Sequence, residues 1–331
     1  MKIWGDGWLI SKSVNQMIVK KNTILKGIMM VGLIASSNFV LNAQQQTEAV
    51  AKSLNTVELV NPFIDTHDSR WFYFSSACRP FGMVNLSPDT DTDRSWSSGY
   101  LYDSKYIRCL SHIHAWQLSG IAVLPATGKV QGHLGMDTYQ SAFNHDCEIA
   151  KPGYHKLFLQ SYDIGVELTS TTRVGFHKYR FHKKDNPHVL FDLGAYLAHG
   201  PTIDTYAEVI SDTAIEGYTV MAPTIRRPKP VTVYFVAHFD QPVEHVGGWK
   251  NKLLMEHKVS QIEGESTGIY AVFPESTDIL KMKVAISYTS IENARLNMKY
   301  ELPHWDFERV KKESFDVWNQ WLNRINVSGG T

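Results

Sequence analysis

Seven short segments in the middle of the chain, 164–168, 173–181, 188–193, 214–221, 231–239, 268–273 and 282–288, alternate apolar with polar residues or are rich in β-branched ones. Burial with period two is a strand property, because successive strand side chains point to opposite faces, whereas a helix repeats about every 3.6 residues. Turn formers separate the segments, among them Lys184-Asp185-Asn186-Pro187 and Gly247-Gly248. No helical pattern intervenes. Strands that follow one another directly pair antiparallel, while parallel strands need crossover helices. The pattern therefore predicts a mainly β fold, with one large antiparallel β-sandwich over 57–298. At 331 residues and 43% hydrophobic content the chain can bury a core of that size.

The pattern changes near Asp306. Phe307, Val310, Trp318, Trp321, Leu322 and Ile325 fall at helical spacing, Asp306 is suited to cap the start, and Gly329-Gly330 to stop the run. A helix over 306–325 is expected, within a linker over 299–331, with an aromatic face that the sandwich covers only in part.

At the other end, Lys20, Lys21 and Lys26 precede an apolar run over 27–41 and the small Ala43, the layout of an export leader. The run is too short for a stable membrane span. Residues 1–16 read as an upstream extension, 1–43 as extension plus leader, and the polar 44–56 as an unpatterned mature N-terminus. The expectation is a soluble exported protein, periplasmic or extracellular. Cys78, Cys109 and Cys147 allow at most one bridge there, and no partner pair at zinc spacing completes a site around Cys109, His112 and His114.

Charge narrows the partners. Lys plus Arg (33) balance Asp plus Glu (33), so nothing favours nucleic acid or an anionic membrane surface, and neutral ligands fit better. Nine Trp and fifteen Tyr suit the apolar faces of sugar rings, though core packing explains any single one of them as well. The cluster Asp89-Thr90-Asp91-Thr92-Asp93 invites a calcium reading but fails the EF-hand pattern, with Arg94 where the loop glycine belongs and Tyr100 where a bidentate Glu belongs. A solvated turn is its ordinary reading. Ser111-His112-Ile113-His114 would set two imidazoles on one face of a strand, with structural bracing expected of His112. No G-x-S-x-G elbow, phosphate loop, dinucleotide fingerprint, H-E-x-x-H pair or kinase signature occurs.

Three pieces of 60–128, VNPFI, PFGMVNLSPDT and the SGYLY…SHIH run, resemble the opening of glycoside hydrolase family 92. The resemblance covers 60–331. It implies a galactose-mutarotase-like supersandwich followed by a linker helix, and beyond residue 331 an (α/α)6 barrel carrying the general acid, the general base and calcium. The implied activity is inverting, calcium-dependent exo-α-mannosidase action on mannose-containing glycans. Carried over residue by residue, Trp96 would wall the terminal-mannose subsite, with Ser98, Gly99 and Tyr100 presenting that loop and Asp89 and His114 as further substrate-binding candidates; no catalytic residue and no metal ligand is expected in this chain. Two stretches depart from the family pattern. Residues 65–74, with bulky Trp71, Phe72, Tyr73 and Phe74, replace a glycine- and histidine-rich loop, and Ala115-Trp116-Gln117-Leu118-Ser119-Gly120 replaces a small, glycine-rich run, which implies a differently shaped entrance. A carbohydrate-binding module without catalysis is the alternative, and a purely structural cell-surface β-domain a third reading.

Overall fold

The computed structural model describes residues 55–67, 76–92, 99–115, 118–197 and 200–325. The expected leader and the mature N-terminus through residue 54 lie outside these residues. Two antiparallel sheets carry the fold. The eight-stranded sheet runs Ala77–Cys78, Asn85–Asp89, Cys109–Ser111, Ala122–Ala126, His188–Asp192, Thr267–Val272, His245–Lys250, Leu253–Met255. The nine-stranded sheet runs Gln261–Glu263, Thr202–Ser211, Ala214–Met221, Val231–Phe239, Ile279–Ser287, Val174–Phe181, Ile164–Ser170, Tyr154–Leu159, Ile149–Lys151.

The alternation read from sequence explains the layering. In Val231–Phe239, Val233, Phe235, Ala237 and Phe239 are buried in the core between the sheets. Phe191 of the opposite sheet stacks on Phe235 at 6.0 Å between ring centroids and meets Phe239 edge-on at 6.3 Å. Such pairs add to the apolar area they bury, which is the main source of stability in a sandwich.

One expected turn is a strand instead. Gly247 and Gly248 lie inside His245–Lys250, paired with Tyr270 and Ile269. A Cβ on Gly247 would sit 2.2 Å from the Tyr270 ring, and one on Gly248 2.9 Å from the Gly268 carbonyl oxygen. These glycines admit a neighbouring ring and backbone rather than bend the chain.

After the last strand the chain forms two helices, α1 (Ile291–Glu301) and α2 (Phe307–Leu322). The sequence pattern pointed only to the second. In α1 just Ala294 and Met298 are buried, too few to mark a helical stripe, while Ser290 caps it by accepting from the Asn293 N–H. Asp306 caps α2 as expected, its Oδ1 accepting from the Arg309 N–H at 3.1 Å. Both helices lie on the outer face of the nine-stranded sheet, in a second apolar cluster with Val174, Phe176, Val236 and Ala285. Trp318 is half-buried and donates its indole N–H to the Cys78 carbonyl at 2.7 Å, whereas Trp321 remains exposed, edge-on to Phe81 at 4.8 Å. The aromatic face is thus partly covered, in line with its sequence. Among the described residues no helix is long and apolar enough to cross a membrane.

Candidate functional site

Asp89 ends the strand Asn85–Asp89 in register with Cys109, and its side chain is fully buried. The expected solvated turn is therefore corrected. The charge is tolerated because the carboxylate is surrounded by donors: His114 Nε2–H reaches Oδ1 at 2.9 Å, Ser111 Oγ–H reaches Oδ2 at 2.5 Å, and the Cys109 thiol lies 3.4 Å from Oδ2. His114 Nδ1–H in turn donates to the Asn85 carbonyl at 2.6 Å. Both imidazole nitrogens face acceptors. Burial alone would lower the pKa of His114, but the Asp89 charge and these hydrogen bonds outweigh it and raise it above the ordinary value.

His112 goes elsewhere. The strand expected through Ser111–His114 breaks at His112, and Ile113–Ala115 pairs instead with Leu118–Gly120 as a separate ribbon. The two imidazoles do not share a face toward a common ligand. His112 points into the core, Nδ1–H to the Ile121 carbonyl at 2.8 Å and Nε2 to His177 Nε2 at 2.9 Å, which is the bracing expected of it.

The Asp89 pair holds the base of the stretch that carries Trp96 and Ser98, residues that lie outside those described. Asp91 and Gly99 exchange backbone hydrogen bonds of 3.0 and 2.7 Å, and the Thr90 N–H also reaches the Gly99 carbonyl at 3.0 Å. Gly99 has φ +130°, and a Cβ there would lie 3.3 Å from the His114 ring, so both backbone and space call for glycine.

Tyr100, expected to help present the loop that carries Trp96, is itself buried. Its O–H donates to Glu148 Oε2 at 2.8 Å, and its ring packs on Phe63 at 5.8 Å between centroids. Glu148 also receives His145 Nδ1 at 2.5 Å and His155 Nε2 at 2.9 Å, while Ser76 Oγ meets His155 Nδ1 at 2.7 Å. Burial by itself would raise the Glu148 pKa; hydrogen bonds from His155, His145 and Tyr100 outweigh it and hold the carboxyl below its usual range. Burial, then the Glu148 charge, pushes the Tyr100 phenol up.

This network joins the sequence pieces. Ser76 follows 68–75, Tyr100 follows 93–98, and the Tyr102 N–H holds the Thr66 carbonyl at 3.0 Å, so both undescribed stretches are rooted in one buried cluster. Sequence reasoning missed Glu148, His145 and His155. His145, Asp146, Cys147 and Glu148 form a polar run with no motif, and only the fold sets it under Tyr100. Tyr100→Phe is expected to lower stability by about 1.5–3 kcal/mol, the range for a hydrogen bond to a charged group. Chemical denaturation reads this, and an unchanged midpoint would show that the bond contributes nothing.

Among the described residues no group of three or more His, Cys, Asp or Glu has metal-binding geometry, and all three cysteines are free thiols, with Cys147 exposed. Asp89 is enclosed by imidazole, hydroxyl and thiol rather than the six to eight oxygens calcium takes. The site as built fixes Ser76, Asp89, Gly99 and Tyr100, which flank 68–75 and 93–98, through buried hydrogen bonds. It has no pair of carboxylates facing a shared space.

Comparison with known proteins agrees with this architecture. The profile described as the N-terminal domain of glycosyl hydrolase family 92 matches residues 59–287, and that of the family's catalytic domain matches 293–331. A family GH92 α-mannosidase from Bacteroides thetaiotaomicron, solved alone and in complex with mannoimidazole, superposes with a TM-score of 0.74 at 24% identity. The alignment covers 83% of this chain and 39% of the unliganded relative, 38% of the complexed one. A family GH92 inverting mannosidase from Bacteroides thetaiotaomicron VPI-5482 gives 0.74 at 22% identity, covering 85% of this chain and 38% of that one. The chain thus spans well under half the length of these solved relatives. Comparison with curated proteins gave no match. With 59–287 matched by one family profile and the two-sheet architecture shared, the chain belongs to glycosyl hydrolase family 92.

Proposed function

We propose that the described sandwich is the N-terminal part of an exported, calcium-dependent, inverting exo-α-mannosidase that acts on mannose-containing glycans. The observation that carries this reading is the meeting of residues from the family's motif pieces, Phe63, Asp89, Tyr100 and His114, where the Asp89–His114 and Glu148 clusters root the stretches 68–75 and 93–98. Rigid roots under loops are how a β scaffold presents residues to a ligand, since loops carry function and the sheets fix their position. In this reading Trp96, Ser98 and Gly99 form one wall of the mannose subsite. Asp89, Tyr100 and His114 act through the loop, as positioning residues.

Inverting hydrolysis needs a carboxylic acid and a carboxylate about 6.5–9.5 Å apart on opposite sides of the bond. Asp89 and Glu148 are each engaged by donors on both carboxylate oxygens, which leaves neither free for that role, and the resemblance to the family implies that acid, base and calcium lie in its helical barrel. The purified chain is accordingly expected not to hydrolyse an aryl α-mannoside, with or without calcium, while a form joined to a family helical barrel does. Turnover by the chain alone that vanishes in Asp89→Asn would move the catalytic centre into the sandwich and overturn this assignment.

A further inference from the structure

A cleft of about 510 Å³ opens beside Thr92, the last described residue before 93–98, and its walls include Arg108, His133, Asp192, Tyr196 and Trp249. That volume suits one or two sugar rings, within the range of about 300–1,000 Å³ typical of ligand pockets. Its polar groups are incompletely paired. His133 Nδ1 is buried with no hydrogen-bond partner. Trp249 is almost wholly buried, and its indole N–H makes no hydrogen bond among the described residues. The Asp192 carboxyl accepts the Tyr139 O–H on Oδ2 at 2.8 Å, and no described side chain engages its other oxygen. Buried polar groups are ordinarily paired, so three with spare capacity around one cleft indicate an occupant that brings both donors and acceptors.

Charge defines that occupant further. The Arg108 guanidinium is met by the Asp137 carboxylate at 3.0 Å and by Thr92 Oγ1 at 3.3 Å. Its charge is therefore balanced in place, and the other basic side chain that lines the cleft, Lys252, is exposed, where water and salt screen it. Burial pushes the Asp192 carboxyl up to about 7, against the Tyr139 hydrogen bond, which leaves it able to donate as well as accept near neutral pH. Tyr196, exposed at the rim, offers an aromatic face for the C–H side of a sugar ring.

We infer that this cleft binds a neutral sugar ring of the glycan, through Asp192, His133 and the Trp249 indole. The inference rests on the proposed glycan-directed function and adds a place where a sugar ring of the glycan is held.

The test follows indole N–H resonances of the ¹⁵N-labelled full chain during titration with methyl α-mannoside and with an α-linked mannobiose, the Trp249 signal being assigned by its loss in Trp249→Phe. The Trp249 resonance is expected to shift with saturation, and Tyr196→Ala and Asp192→Asn are each expected to weaken that binding about tenfold, the equivalent of one good hydrogen bond or stacking contact. Tyr196 is exposed, so its replacement keeps the test valid if Asp192→Asn disturbs folding. A shift confined to other indoles would overturn the cleft assignment and leave the glycan reading standing. No shift with either sugar, or tighter binding of mannose 6-phosphate than of the neutral sugars, would overturn it too. The glycan reading itself is decided apart from this, by the mannoside assay on the chain joined to a helical barrel.

Discussion

Asp89→Ala is expected to lower folding stability by roughly 3–5 kcal/mol, the cost of breaking a buried ion pair by removing one partner. The effect is large because three groups lose their acceptor together. His114, whose protonated form Asp89 favours, would then carry an uncompensated buried charge when protonated. Ser111 Oγ would lose its 2.5 Å bond and the Cys109 thiol its 3.4 Å contact, and the Gly99 backbone beside the His114 ring would lose its support as well. A double-mutant cycle with His114→Ala separates these contributions, since the pair's coupling appears as non-additivity. Local consequences should follow the global one: Asp91 and Gly99 amides, exchange-protected in the native protein by their mutual hydrogen bonds, are expected to lose protection first. A stability loss below about 1 kcal/mol, as for an exposed pair, would mean that Asp89 is not the anchor of this loop.

That anchor was hidden in the sequence, although much of the fold was not. Val231–Phe239 was legible to the residue, since Val233, Phe235, Ala237 and Phe239 alternate into the core, and so was Ala214–Met221, although its first four residues are all buried. The strand Thr202–Ser211 was not, because most of its side chains are half-exposed near the sheet edge and the apolar alternation that marks a strand is diluted. Gly247-Gly248 misled for a different reason. The missing side chain of Gly247 makes room for the Tyr270 ring, 23 positions away, and that of Gly248 for the Gly268 carbonyl, 20 positions away, contacts that no local pattern encodes.

The site divides in the same way. VNPFI, PFGM and SGYLY carried the resemblance, and the structure brings the first and last together, Phe63 packing on Tyr100 above Glu148, whereas PFGM lies apart with Phe81 against Trp321. The burial of Asp89 could not be read from an acidic run that resembles a solvated turn. It depends on strand register with Cys109 and on an imidazole 25 residues away. Glu148, His145 and His155 carry no motif at all, and their role arises only because three backbone segments converge under Tyr100.

Two imidazoles separated by one residue are expected to respond to pH with opposite signs. His112 Nδ1–H is committed to the Ile121 carbonyl, so its Nε2 is the acceptor for His177 Nε2–H, and His177 Nδ1 accepts the Tyr179 O–H at 2.8 Å. This chain of neutral rings ties the bend after Cys109–Ser111 to the nine-stranded sheet, and a further proton would set N–H against N–H at 2.9 Å. Burial lowers His112 to about 4 and His177 further below its ordinary value. A depressed imidazole contributes stability that is complete above its unfolded pKa of about 6.5 and is lost as pH falls through the folded value, so His112 alone accounts for on the order of 3 kcal/mol lost between about pH 6.5 and pH 4. His188, lowered to about 4 by burial, acts in the same direction. His114 has the reverse sign: its raised pKa contributes stability below about pH 6.5 that is lost as pH rises through the folded value. Denaturation midpoints measured from pH 8 to pH 4 should therefore fall steeply on the acid side, and the slope should flatten when His177→Phe removes one member of the chain. In a histidine ring NMR titration, His114 should show a midpoint above about 6.5 while His112 remains neutral through pH 5. A His112 midpoint near its unperturbed value would mean that the ring is open to water and that no imidazole chain links the two sheets.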